Sequence, residues 1–396
     1  MDFLCARDGD KSLYWLTTSF AEKIEGQVGR ERRLWNGPLA QLAEQRTFNP
    51  WVVGSSPTGP TRCPRTEGCD LELDPGAGTI FFVHRGPIHS YVDAAILQAR
   101  LTNPKTNIVV MGDQSPTQIS FEIASQVRYQ SLSDYSSRAS AFAEIFRFEA
   151  NHRYDYELLN FQRWFYLREF CEANSLSGPF LLLDSDAYLY LSMHEVIENL
   201  QSSMTVVDRV GPQFTFFLDL EAITKFTDFL TDCFSSDSGF RKLSNFVDEW
   251  QEHGLPRVCD MAALGSYVKQ QPVEDIGIAE RTDFVFCENV GSSQGLAMSM
   301  LGKKVTVINN RRYFTTKDAR KVLAGGIHLQ GGNKALWPYF VDKSVRREIR
   351  AHSPRAYRVQ RAGARRKVFR IGFLKTLTLL KRLVSFRPAA FRQKVN

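Results

Sequence analysis

From Pro179 to Asp186 the chain reads Pro-Phe-Leu-Leu-Leu-Asp-Ser-Asp, an unbroken apolar run that stops at two carboxylates. A strand with one wet face alternates apolar and polar residues. A strand that is apolar throughout is buried on both faces, as in the interior of a mostly parallel sheet. Thr79-Ile-Phe-Phe-Val83 and Asn107-Ile-Val-Val-Met111 have the same character. The stretch between them predicts a helix from Tyr91 to Leu101, ended by Asn103-Pro104. Strand, helix and strand at this spacing form a βαβ unit. A further helix is predicted from Tyr154 to Asn174, ahead of the Pro179–Leu183 strand. The fold class these elements imply is α/β, a mixed and mostly parallel sheet flanked by helices.

The ending at Asp184-Ser185-Asp186 carries the chemistry. Open α/β sheets bind ligands outside the carboxyl ends of their strands. Two carboxylates two residues apart in extended chain point to one side. At such an edge they suit a hard divalent cation whose remaining positions go to phosphate oxygens. Far downstream, Gly325-Gly-Ile-His-Leu-Gln-Gly-Gly-Asn-Lys334 places His328, Gly331 and Lys334 three residues apart. His is a common metal ligand, glycine lets backbone N–H groups approach a phosphate, and Lys adds a positive charge. The two segments together compose a metal–diphosphate site.

A strand ending in Asp-x-Asp, followed by a distant His-x-x-Gly-x-x-Lys, resembles the GT-A glycosyltransferases, family 8 in particular, over about Thr79 to Phe340. The resemblance implies the GT-A, Rossmann-like arrangement. It also implies Mn²⁺ (or Mg²⁺) on Asp184, Asp186 and His328, with Gly331 and Lys334 on the diphosphate of a UDP-sugar donor. Arg163, in Phe161-Gln-Arg-Trp-Phe165, matches the family's basic residue on the helix before Asp-x-Asp. His84 and Asp113, at the ends of the first two strands, match the positions that hold the nucleoside.

The match is incomplete. Gln213-Phe-Thr-Phe-Phe217 lacks the family's Asn-x-Gly, and Cys259-Asp260-Met261-Ala262-Ala263 stands where an Asp-Gln-Asp is expected. Asp260 heads a predicted helix; it serves there as an N-cap, or as the residue that binds the acceptor hydroxyl or acts as base. Retention and inversion both stay open. The expected function is metal-dependent transfer of a sugar to a glycan or lipid-linked acceptor in cell-surface polysaccharide synthesis. The alternatives are a nucleotidyl- or phosphotransferase using the same carboxylates, or a non-catalytic nucleotide-sugar-binding protein.

Composition divides the chain into three parts. Residues 343–396 hold 17 Lys or Arg against the single Glu348, so a net charge of +7 conceals an acidic body and a basic tail. Gly37–Thr61 has no sustained period and resembles a translated tRNA gene; Val-Gly-Ser-Ser-Pro can be encoded by a stretch containing the T-arm sequence GGTTCGAGTCC. Residues 1–76 are therefore expected to be a spurious or disordered extension, residues 77–342 the catalytic domain, and residues 343–396 a membrane-associating tail. Within the tail, Lys343–Lys367 is expected to be solvated or loosely helical. Val368–Phe386 is expected to form an amphipathic helix lying on an anionic membrane. No nucleic acid partner is expected. Seven scattered cysteines and the lack of a signal-like start favour a cytoplasmic protein at the inner membrane face.

Overall fold

A computed structural model of the protein describes residues 73–74, 76–114, 125–149, 153–250, 257–277, 283–293, 295–299 and 301–385. Beyond residue 369 the only side chain described is that of Phe373. The chain divides after Arg65 into two units. The first unit, with the tRNA-like segment, Asp8-Gly9-Asp10 and Cys63, lies outside the described residues, as does Cys69. Every described residue belongs to the second unit.

The apolar runs become neighbours in one sheet: β1 (Thr79–His84), β2 (Asn107–Gly112), β3 (Arg128–Ser131) and β4 (Phe180–Leu183). β5 (Ala187–Leu189) lies in a second sheet, and β6 (Phe214–Phe217) closes the first in the order β3-β2-β1-β4-β6. All pairs in it are parallel except the antiparallel β4–β6 pair. Two-sided burial explains the unbroken apolar sequence. Ile80, Phe82, Leu181 and Leu183 face one core, and Phe81, Phe180 and Leu182 face the other. Each fully buried Phe or Leu contributes roughly 1.5–3 kcal/mol relative to an exposed one.

Helix α1 (Ser90–Thr102) covers the first face. Helices α2 (Ser137–Ile145) and α3 (Tyr154–Ala173) cover the second. α4 (Met193–Ile197) precedes two more helices on that second face, α5 (Leu220–Ser235) and α6 (Asp237–Glu249); α7 (Asp260–Val268) completes the layer. The second sheet contains β7 (Phe284–Cys287), β8 (Val305–Ile308), β9 (Arg311–Thr315) and β10 (Lys321–His328). It runs β8-β9-β10-β5, with β7 parallel to β10. The fold is mixed α/β, with a mainly parallel sheet flanked by helices.

Leu73 is buried, and Asp74 exchanges two hydrogen bonds with Asn107: its N–H donates to Asn107 Oδ1 (3.2 Å) and its carbonyl accepts from Asn107 Nδ2 (2.7 Å). Packed chain thus begins before Gly76. After α8 (Trp337–Phe340), the segment expected to be solvated or loosely helical forms α9 (Lys343–His352) and the start of α10 (Pro354–Ser385). Val345, Ile349, Tyr357 and Ala364 are buried there in the same core as α1. Their spacing brings one apolar stripe inward while the arginines stay outside. That stripe was hidden in the sequence by the density of Arg. The expected amphipathic helix Val368–Phe386 falls within α10 up to Ser385; Val368 packs half-buried against the core and Phe369 and Phe373 are exposed, while its other side chains lie outside the described residues.

Candidate active site

β4 ends at Leu183 in one sheet and β5 begins at Ala187 in the other, so Asp184-Ser185-Asp186 is the elbow between them. The backbone fixes its shape. Asp184 N–H donates to the Gln213 carbonyl (3.2 Å), and Ala187 N–H donates to the Asp184 carbonyl (3.0 Å). β10 lies antiparallel to β5 with His328 opposite Ala187, and Leu329 N–H donates to the Asp186 carbonyl at 3.0 Å. This register delivers a histidine 142 positions away, with Nε2 3.2 Å from Asp186 Oδ1 and 3.9 Å from Asp184 Oδ2.

Asp184, Asp186 and His328 each offer one ligand atom, all within 4.8 Å of one another. Metal–ligand bonds of roughly 2.1 Å at right angles put neighbouring ligand atoms roughly 3 Å apart, near the 3.2 Å between His328 Nε2 and Asp186 and shorter than the 3.9 Å to Asp184. Two carboxylates and an imidazole suit a divalent cation that takes oxygen and nitrogen ligands rather than a thiolate-selecting metal. His328 Nδ1–H donates to the Glu288 carbonyl at 2.6 Å, which orients the ring and turns Nε2 toward the carboxylates.

Charge alternates through the cluster. Lys334, on the 3₁₀ turn Gly331–Leu336, brings Nζ to 3.1 Å from Asp186 Oδ2 and 5.1 Å from the Tyr91 ring centroid. Burial alone pushes the Asp186 carboxyl up, but the His328 and Lys334 charges outweigh it and hold Asp186 well below the usual carboxylate range. Burial works against the charges of His328 and Lys334 too, yet Asp186 keeps both above their ordinary values. Gly331 opens the turn with φ +57°, and a Cβ there would meet nothing within 4 Å. That left-handed conformation favours glycine, and the open space leaves its backbone approachable.

Arg163 ties the elbow to α7. Buried on α3 and lying over Trp164, it donates from Nη1 to Asp184 Oδ1 (2.5 Å) and from Nη2 to Asp260 Oδ2 (2.7 Å). The two carboxylates outweigh the cost of burial and raise its pKa further. Asp260 is not the N-cap considered from the sequence. Cys259 occupies that position, and Asp260 is the first residue inside the helix. There it is buried, with Oδ1 accepting from Met261 N–H at 2.9 Å. Burial raises its carboxyl, Arg163 only partly reverses this, and Asp184 pushes it up again.

His84 and Asp113 end adjacent parallel strands. His84 Nε2 lies 3.2 Å from the Pro87 carbonyl, so it carries the proton and donates; Nδ1, 3.3 Å from Ser185 Oγ, then accepts. Burial lowers the His84 pKa and keeps the ring neutral. His84 therefore touches the elbow directly. Asp113 Oδ1 accepts from Gly86 N–H at 2.8 Å and holds the loop after β1.

Two contributors carry no motif in the sequence, Tyr91 as the ring beside Lys334 and Glu157, while Ser185 is only the spacer of Asp-Ser-Asp until the structure makes it the contact of His84. Glu157 is buried in the first turns of α3, and burial together with the Asp260 charge pushes its carboxyl up to about 8. A glutamate amid the aromatic and leucine positions of that helix was the available signal. Arg168, further along α3, is tied up elsewhere, with Asp228 (2.5 Å) and Glu172 (2.9 Å).

No family model and no curated protein sequence matches the chain. Among solved structures it is similar to the galactosyltransferase LgtC in complex with donor and acceptor sugar analogs: 13% identity, 53% of this chain and 75% of that one covered, TM-score 0.32. It is also similar to mouse xyloside xylosyltransferase 1 (10% identity, 54% and 87% covered, TM-score 0.37). A third is the glycosyltransferase GlyE of Streptococcus pneumoniae TIGR4 (13% identity, 52% and 46% covered, TM-score 0.30). These neighbours are glycosyltransferases. Likeness at this level carries no argument for the activity of this chain, which has to rest on its own side chains.

Proposed function

We propose that the chain is a metal-dependent GT-A glycosyltransferase, resembling family 8, that moves a sugar from a nucleotide-sugar donor, UDP-linked, to a glycan or lipid-linked acceptor in cell-surface polysaccharide synthesis. The observation that supports this best is the meeting of Asp184, Asp186 and His328 from two sheets, with Lys334 3.1 Å from Asp186. Those three residues would hold Mn²⁺ or Mg²⁺, which would supply Lewis-acid chemistry for a departing nucleoside diphosphate.

The remaining roles fall to the chain itself. Lys334 offers a fixed ammonium, and the open Gly331 turn offers backbone N–H groups, to charge that develops on the leaving diphosphate. Arg163 carries a permanent positive charge and keeps Asp184 and Asp260 at a set separation. His84 and Asp113, at the carboxyl ends of β1 and β2, are the residues for the nucleoside side. Asp260 is the candidate for the acceptor hydroxyl, because a carboxyl raised by burial accepts a proton more readily than an ordinary one. The sugar centre passes through an oxocarbenium-like state, as in glycoside chemistry generally.

The test is a panel of UDP- and GDP-sugars incubated with the full chain and Mn²⁺, scored by release of nucleoside diphosphate. Release from at least one donor, abolished by excess chelator, is the expected outcome. Turnover of a nucleoside triphosphate instead would assign the site to nucleotidyl or phosphoryl transfer. Donor binding without release would make the chain a nucleotide-sugar-binding protein.

A further inference from the structure

Helix α10 has two unlike faces. Its inner face carries buried Tyr357 and Ala364 and packs against the Gly331–Leu336 turn that holds Lys334. Tyr357 meets Trp337 edge-on there, with ring centroids 6.0 Å apart. Its outer face presents Arg355, Arg358, Arg365 and Arg366, all exposed, with Phe369 76% and Phe373 55% exposed. At about 100° per residue these six positions fall within about a third of the helix circumference, so they share one side of it. Phe369 is the most exposed large hydrophobic side chain among the described residues.

A cationic stripe carrying protruding rings narrows the choice of partner. The tail sequence offers the arginines almost no acidic partner, since residues 343–396 contain only Glu348. A phosphate backbone would satisfy the arginines by charge alone and has no need of exposed phenyl rings. An anionic bilayer answers both features, with phosphate headgroups for the arginines and the acyl boundary for the rings. No described helix is long and apolar enough to cross a membrane, so the contact is with its surface.

We propose that the outer face of α10, from Arg355 to Phe373, is a docking surface for an anionic lipid bilayer, directly opposite the turn that carries Lys334. A helix with its side chains is about 10 Å across, so docking sets the candidate site about one helix diameter from the headgroups. That spacing favours an acceptor carried by a lipid over a free glycan. The acceptor preference rests on the glycosyltransferase reading; the docking itself does not.

The experiment is sedimentation of the full chain with phosphatidylglycerol–phosphatidylcholine vesicles and with phosphatidylcholine vesicles alone, without donor or metal. Binding to the anionic vesicles only, lost in about 1 M salt where screening acts within about 3 Å, is expected. The double variant Phe369→Glu/Phe373→Glu and the quadruple variant Arg355→Ala/Arg358→Ala/Arg365→Ala/Arg366→Ala should each weaken it by about tenfold or more. Both change exposed side chains, and unchanged circular dichroism and thermal unfolding would verify that they fold. Undiminished binding by either folded variant, equal binding to neutral vesicles, or no binding by the unaltered chain would each overturn the proposal. So would arginine-dependent binding to duplex DNA without vesicle binding. No turnover is read, so failure here is distinguishable from failure of the sugar-transfer reading.

Discussion

Asp186 and Asp260 are both buried, both aspartates and both paired with a cation, yet their carboxyls move in opposite directions. Asp186 sits between His328 and Lys334, and two positive neighbours hold it below the ordinary range. Asp260 shares Arg163 with Asp184 and lies near Glu157, so one guanidinium serves several acids and burial wins. The balance of charge around a carboxyl, not its depth, decides its direction. The surroundings favour the ionised carboxylate at the Asp186 end of the site and disfavour it at the Asp260 end.

The largest expected effect tests the first end. Asp186→Asn should abolish nucleoside diphosphate release and lower Mn²⁺ affinity, read by calorimetry, by more than about 100-fold, since even outer partners of metal ligands cost about 10–100-fold. Asp260→Asn should reduce turnover while leaving Mn²⁺ affinity within a few-fold. Equal loss of metal affinity in both variants would break the contrast.

The bridge between the ends comes next. Arg163→Ala strands the buried carboxylates of Asp184 and Asp260, and should cost about 3–5 kcal/mol in urea unfolding. Arg163→Lys should recover only part of this, because one ammonium does not reproduce the two-pronged guanidinium contact.

Proton competition sharpens the metal end. The His328 pKa is raised, so the free site binds a proton that a metal must displace. Mn²⁺ affinity should therefore rise with pH, by up to about tenfold per unit below that pKa. Flat affinity between about pH 6 and pH 8 would remove His328 from the ligand set.

The smallest effect belongs to Glu157. Its carboxyl is raised from 4.5 to about 8 in the folded chain, so folding favours the protonated form. The contribution is fully present below pH 4.5 and is lost as pH rises toward about 8. Glu157→Gln should raise Tm over the unaltered chain near pH 8 and leave it little changed near pH 5. An identical pH dependence of Tm in the two chains would show that Glu157 is not held protonated.

Legibility in the sequence followed the range of the interaction. β1, β2 and β4 were readable because two-sided burial demands consecutive apolar residues, α1 because Asn103-Pro104 stops it locally, and α3 because aromatic and leucine residues recur along it. Asp184, Asp186, His328 and Lys334 were readable as spaced motifs. Tyr357 and Ala364 were not, because two inward positions per several turns vanish among arginines. Glu157 and Tyr91 were not either, because nothing local says that an acid on α3 approaches α7, or that the ring of Tyr91 lies beside Lys334.

The sequence alone thus determined an interior, mostly parallel sheet, the carboxylate pair at its edge and the charge division between body and tail. Solvent exclusion from both sides of a strand and the sum of charges are written directly in residue order. The tertiary structure alone decided that β10 registers His328 against Ala187, that Arg163 spans Asp184 and Asp260, and that α10 rests on the Lys334 turn. It also decided the opposite directions of Asp186 and Asp260. Those are properties of distance through a low-dielectric interior, where a neighbour more than a hundred residues away outweighs the residue beside it.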